Sequence, residues 1–222
     1  MKIGGLNRSI GAGNKVGCVL ALDLKRKDGD SFMDRSVYGH LCTNYGSKWQ
    51  LDGRYFDGVN ACVGVPHHSA LNMPSVVTAS ILIKRDTKTA NYCEALISKR
   101  LAAAEGGDGK QCNYQFYLAA KANRRMRFYN GAAEREVVYE PLVGMQVPLC
   151  FQIADGKFTA YANGDKKGDI AGTMGATNTS TLWIGFYDHP NTNEPFHGTI
   201  SRVRLHRFAD YAPRILSRSI GG

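Results

Sequence analysis

The sequence predicts an all-β protein, a two-sheet antiparallel jelly-roll sandwich. Three observations lead there. Short alternating or β-branched runs recur from Val19 to Phe208 and are separated by Gly, Asn and Asp turns. No convincing long amphipathic helix interrupts them. The chain has 222 residues, 43% of them hydrophobic and 10% aromatic, enough for one well-filled core.

The elements follow in order. Val19–Leu24 is a first strand, and the stretch from Lys25 to Ser36 is polar and turn-rich. Tyr55–Val65 holds two short strands around Asp57-Gly58, a dipeptide that predicts a hairpin. Val76–Lys84 alternates and is β-branched. Cys93–Glu105 could be helical, but Ile97–Arg100 within it suits a strand equally. Tyr114–Ala120, Met126–Asn130, Val147–Ala154 and Lys157–Asn163 are further strands, the last two joined by a two-residue Asp155-Gly156 turn. Leu182–Tyr187 and Thr199–Phe208 complete the sandwich. The expected organisation is a glycine-rich N-terminal arm (1–18), the sandwich (19–208) and a basic C-terminal tail (209–222).

The apolar runs are too short and interrupted to cross a bilayer, so no membrane insertion is expected. The first residues lack a continuous apolar segment and a small-residue cleavage site, which predicts a protein that stays where it is made. Cys18, Cys42, Cys62, Cys93, Cys112 and Cys150 show no CxxC and no regular spacing, so reduced, structural thiols are expected. The formal net charge of +9 favours an acidic partner, although the basic residues are spread along the chain.

Several segments together resemble the laminin-G-like, concanavalin A-like lectin and glucanase jelly rolls. Asp34-Arg35-Ser36 with Gly39-His40 looks like that family's D-x-S-G-x-G opening. Tyr55-Phe56-Asp57-Gly58-Val59-Asn60 followed by Val63-Gly64-Val65-Pro66 is similar to its F-D-G-x-N…V-x-V-P segment. Ser69-Ala70-Leu71-Asn72 with Thr78–Lys84, and Ile97-Ser98-Lys99-Arg100, resemble the next two. Asp155-Gly156 with Tyr161-Ala162-Asn163-Gly164 looks like the D-G…Y-V-N-G hairpin. Leu182-Trp183-Ile184-Gly185, Phe196–Ile200 and Val203-Arg204-Leu205 look like the closing strands. Each motif is weak alone; their shared order over residues 19–208 carries the resemblance.

The resemblance raises catalysis and calcium. Glucanases of this superfamily carry an E-x-D-x-x-E strand, or a form one residue longer, that sets carboxylates on one face. Glu134-Arg135-Glu136 with Glu140 is the nearest segment, but its middle residue is Glu and its flanks differ; it reads as a polar loop leading into Pro141. No Gly-x-Ser-x-Gly elbow or phosphate loop is present, and the expectation is a protein that is not an enzyme and needs no cofactor. Calcium in relatives needs six to eight oxygen ligands. Here the closing I-D-E-V has become Ile200-Ser201-Arg202-Val203, so no metal is expected, with Asp34 and Asp57 the acids left to inspect.

Binding residues are more promising. If Leu182 and Ile184 face the core, Trp183 and Tyr187 face out, where aromatic rings stack on sugars. The polar loop from Asp188 to Glu194 follows, which makes Trp183, Tyr187, His189, Asn191 and Asn193 the candidate ligand residues. Arg124, Arg125 and Arg127 form one basic group, and Arg202 and Arg204 another. No recognised nucleic-acid module is present, so acidic protein surfaces or anionic glycans are the expected contacts. Stand-alone jelly rolls with such arms resemble bacteriophage virion proteins, which implies a capsid-decoration or tail-surface subunit, assembled in the host cytoplasm, with other subunits as partners and glycan as a further ligand. The alternatives are an extracellular lectin-like carbohydrate-binding module and, last, a glucanase-type hydrolase.

Overall fold

The computed structural model describes residues 17–86, 93–101, 111–119, 125–186 and 195–209, and the backbone of 188–189 and 192–193. In chain order the strands are β1 (Cys18–Asp23), β2 (Ser31–Met33), β3 (Leu41–Tyr45), β4 (Lys48–Gln50), β5 (Gly53–Asp57), β6 (Cys62–Val65), β7 (Val77–Arg85), β8 (Cys93–Arg100), β9 (Cys112–Ala119), β10 (Arg125–Tyr129), β11 (Glu134–Val138), β12 (Gln146–Ala154), β13 (Lys157–Ala162), β14 (Asp165–Ala171), β15 (Leu182–Ile184), β16 (Asp188–His189), β17 (Thr192–Asn193) and β18 (His197–His206).

Two eight-stranded antiparallel sheets form the sandwich. The first runs β14-β13-β12-β7-β18-β5-β4, with β1 also paired to β18; the second runs β11-β10-β9-β8-β15-β6-β3-β2. The β18 strand serves two neighbours on one edge: its first half pairs with β5 and its second half with β1. Cys93–Arg100, open between helix and strand in the sequence, is a strand. The stretch from Lys25 to Ser36, read as polar and turn-rich, contains the short β2, and β3 at Leu41–Tyr45 lies outside every segment read as a strand.

Alternation sets the core. Tyr114, Phe116, Phe128, Leu182 and Ile184 from the second sheet meet Phe151, Phe158, Ile81 and Val203 from the first, and all are buried. Phe116 stacks on Phe151 with ring centroids 5.0 Å apart, and Phe128 on Phe158 at 5.6 Å, so aromatic pairs join the two layers. At the end of β7 the two sheets are also joined by charge. The Arg85 Nε lies 2.7 Å from a Glu94 carboxylate oxygen, both side chains are 0% exposed, and Glu140 approaches the same guanidinium at 3.5 Å. All six cysteines are buried free thiols. Burial pushes the Cys42, Cys62 and Cys112 thiols up to about 12.

The two Asp-Gly turns behave differently. Asp155 and Gly156 both take positive φ, 51° and 70°, and close a two-residue hairpin with Ala154 opposite Lys157. Asp57-Gly58 does not make the expected hairpin. The β5 strand pairs with β18 and β4 in the first sheet, whereas β6 pairs with β3 and β15 in the second. The intervening loop crosses the sandwich, and Asp57 organises it: its Oδ1 accepts from the backbone N–H of Val59, Asn60 and Ala61.

Burial works to raise the Asp57 carboxyl, but those N–H bonds outweigh it and hold the group below its ordinary value of 3.8. A folded value below the unfolded one stabilises the fold above the unfolded value, and the contribution is lost as pH falls through the folded value. Melting curves of Asp57→Asn and wild type are therefore expected to differ above about pH 4 and to converge as pH falls below the depressed folded-state value. A difference that stays constant over that window would remove Asp57 from the acid response.

Candidate functional site

Side chains that point away from the core distinguish the two outer faces. On the second sheet the pairing aligns one row across all eight strands: Ser31, Thr43, Gly64, Trp183, Ser98, Gln115, Tyr129 and Glu134. Leu182 and Ile184 are in the core, so alternation turns Trp183 outward, as expected. Its ring lies over Gly64. A Cβ at Gly64 would sit 2.9 Å from Trp183 Cζ3 and 3.1 Å from Tyr45 Cε2, so only glycine leaves room for both rings. Tyr45 is 50% exposed and its centroid is 5.7 Å from that of Trp183. The pair forms a partly exposed aromatic platform on the sheet face. Next to it Ser98 is fully buried, and its Oγ has no hydrogen-bond partner among the described residues.

Farther along the row the face becomes charged. Arg100 donates to Gln115 Oε1 at 3.3 Å and lies 4.8 Å from the centre of the Tyr129 ring. On β10 and β11, Arg127 stands directly opposite Glu136. The Arg127 guanidinium reaches Glu136 at 3.2 Å and Glu134 at 3.3 Å, and Arg125 pairs with Glu136. Tyr117 donates its hydroxyl to Glu134 Oε1 at 2.7 Å. Burial first, and then that hydrogen bond, push the phenol upward, so Tyr117 keeps its proton and acts as a donor.

This corrects two expectations. Glu134–Val138 is strand β11, not a polar loop. Its carboxylates Glu134 and Glu136 share the outer face, while Glu140 turns to Arg85. The group expected to be basic surface is an Arg–Glu ladder: Arg125 and Arg127 face carboxylates on the neighbouring strand. Arg124 lies outside the described residues. Arg202 and Arg204 occupy the outer face of the first sheet, opposite Asp23 and Ala21 of β1, so the two arginine groups are on opposite sides of the sandwich.

Of the proposed recognition loop, His189 and Asn193 lie in β16 and β17, whose backbones pair Asp188 with Asn193 and His189 with Thr192. Their side chains, and Tyr187 and Asn191 entirely, lie outside the described residues. Asp34 is fully engaged as a loop organiser: Oδ1 accepts from the N–H of Ala21 and Ser36, and Oδ2 from that of His40. Among the described residues no group of three or more His, Cys, Asp or Glu is placed to hold a metal ion.

Comparison places this geometry among β-sandwich domains. No protein-family model matches the chain and no curated protein does. Solved structures do. A mutant sialidase of Trypanosoma rangeli displaying trans-sialidase activity superimposes with TM-score 0.69 at 18% identity, over 90% of this chain and 32% of the sialidase. Domain 4 of a GH43 extracellular arabinanase from Geobacillus stearothermophilus, solved in complex with arabinotriose, gives TM-score 0.68 at 14% identity, over 90% of this chain and 97% of that domain. The binding domain of botulinum neurotoxin serotype D gives 0.67 at 11% identity, over 92% of this chain and 52% of that one.

These matches show a shared β-sandwich fold. The chain spans only about a third of the sialidases it matches. They also correct the expectation that catalysis could be set aside from motifs. The same sandwich occurs inside sialidase and arabinanase polypeptides, so a missing E-x-D-x-x-E strand does not separate this chain from enzymes.

Proposed function

We propose that this chain is a carbohydrate-binding β-sandwich module that stacks a sugar ring on Trp183. The observation that carries the reading is the platform itself: an outward tryptophan seated on glycine, flanked by a half-exposed tyrosine, on a row that continues through the partly exposed Thr43 to the exposed Ser31 hydroxyl. Sugars present an apolar C–H face and a polar rim, and an aromatic plane beside polar groups complements both. The arabinotriose complex of the arabinanase domain supports the ligand class, and arabinotriose is the first probe. Saturable binding of arabinotriose, or of glycans on an array, with a component that Trp183→Ala removes is the expected result. Binding that Trp183→Ala leaves intact would place the ligand elsewhere.

A second reading, a surface subunit of a larger assembly such as a virion, is supported by one feature. Met33 and Leu41 face each other across β2 and β3 at the edge of the second sheet, are 57% and 54% exposed, and sit near exposed Val37 and Tyr38. An apolar edge of this kind suits burial against another subunit. Light scattering of the full chain beside Met33→Lys/Leu41→Lys tests it: a defined oligomer that the charges dissociate is expected, and a monomer in both argues against homo-oligomeric assembly.

A further inference from the structure

We infer that the cleft between the β10–β11 edge of the second sheet and β14 of the first is a second ligand site, built for a neutral, hydroxyl-rich ligand such as a sugar diol. The ligand class rests on the glycan-binding reading above, whereas the place of the site does not. The cleft has a volume of ≈ 620 Å³ and is lined by Arg125, Arg127, Glu134, Arg135, Glu136 and the apolar Ile170.

The polar groups are held in place before any ligand arrives. Tyr117 fixes Glu134 from beneath. Arg135 donates from Nε to the Ala171 carbonyl at 2.7 Å and from NH1 to the Glu134 carbonyl at 2.9 Å. The Arg127 side chain is 7% exposed and lies behind the carboxylates it pairs with, while those of Glu134 and Glu136 are 48% and 32% exposed. Acceptors therefore face the cleft, with guanidinium donors beside them. A hydroxyl can donate to a carboxylate and accept from a guanidinium at once, so adjacent hydroxyls match this alternation. Ile170, on the opposite wall, offers an apolar contact to the C–H face of a ring.

The same arrangement discriminates by charge. The chain's net charge of +9 attracts polyanions in general. The cleft lining carries three guanidiniums and two carboxylates, but Arg125 and Arg127 are engaged by Glu134 and Glu136 and Arg135 by backbone carbonyls, so an anion would have to displace a partner from a guanidinium whereas a neutral hydroxyl would not. Neutral ligands are thus selected at this point on a basic protein.

The test is calorimetric titration of the full-length protein with short cello-, xylo- and malto-oligosaccharides, and with oligogalacturonates as the anionic arm, at low and high salt. Wild type, Trp183→Ala, Glu136→Gln and Ile170→Trp are compared, the last filling the cleft from an exposed edge strand without touching the ion pairs. A neutral oligosaccharide is expected to bind with little salt dependence. Glu136→Gln and Ile170→Trp should each weaken that binding at least about tenfold, the size of one hydrogen bond to a charged group. Cleft binding should persist in Trp183→Ala. If Glu136→Gln fails to fold, Ile170→Trp decides. Neutral binding lost in Trp183→Ala and untouched by both cleft variants would overturn this site and leave the platform standing. Preference for oligogalacturonate with steep salt dependence would overturn its neutral selectivity. Absence of binding by wild type to every sugar would overturn both.

Discussion

Replacing Arg85 with alanine is expected to destabilise the protein by about 3–5 kcal/mol, the cost of breaking a buried ion pair from one side. Arg85 and Glu94 are both fully buried at the end of the sandwich, on strands of different sheets, 2.7 Å apart. Removal of the guanidinium takes a charged partner from the buried Glu94 carboxylate and opens a cavity beside it, in a medium that solvates charge poorly. Glu140 loses the same contact but is partly exposed, so its share of the cost is smaller. The double variant Arg85→Met/Glu94→Leu should recover most of the loss, because apolar replacements of similar size fill the space without stranding a charge. Denaturant unfolding measures both. A single variant that loses less than about 1 kcal/mol, the range of an exposed pair, would mean that water reaches this end of the sandwich.

Trp183→Ala is expected to abolish or strongly weaken the platform's share of glycan binding while leaving the fold nearly as stable as before. Truncating a central aromatic anchor costs about 2 kcal/mol or more of binding energy. That is roughly thirtyfold in affinity. Stability should change little, since the ring lies on the outer face and the core neighbours Leu182 and Ile184 are untouched. Gly64→Ala is the complementary variant. It keeps both rings but inserts a methyl group where Trp183 and Tyr45 now lie, 2.9 and 3.1 Å away, so it should tilt the platform and weaken binding without removing any aromatic surface. Unchanged binding in both variants would show that the rings serve packing alone.

Much of this fold was legible in the sequence, and the failures have physical causes. Alternation through Leu182, Trp183 and Ile184 set the side on which Trp183 emerges, because strand periodicity fixes facing without knowledge of partners. Asp155-Gly156 was read correctly because a two-residue loop with two positive-φ positions leaves the flanking strands little choice but to pair. Asp57-Gly58 misled because the same dipeptide opens a longer loop here, and local sequence does not record that β5 finds β18, far along the chain. Tyr45 was missed for a related reason: it reaches Trp183 only once β3, β6 and β15 are aligned.

The arginine ladder had a signal that charge counting overlooks. Arg125-x-Arg127 and Glu134-x-Glu136 flank Asn130-Gly131, so a hairpin there brings opposite charges onto one face. Read as isolated runs, the first looked like basic surface and the second like a polar loop. Read as two strands of one hairpin, they form the paired wall of the cleft.

The most direct test of the glycan-binding account is fluorescence titration of a Trp49→Phe protein, in which Trp183 is the single remaining tryptophan. A saturable change in Trp183 emission with neutral oligosaccharides, absent with matched concentrations of a non-sugar polyol, is the predicted result. Emission that stays constant while calorimetry on the same sample records sugar binding would contradict the account, because the ligand would then be bound away from Trp183.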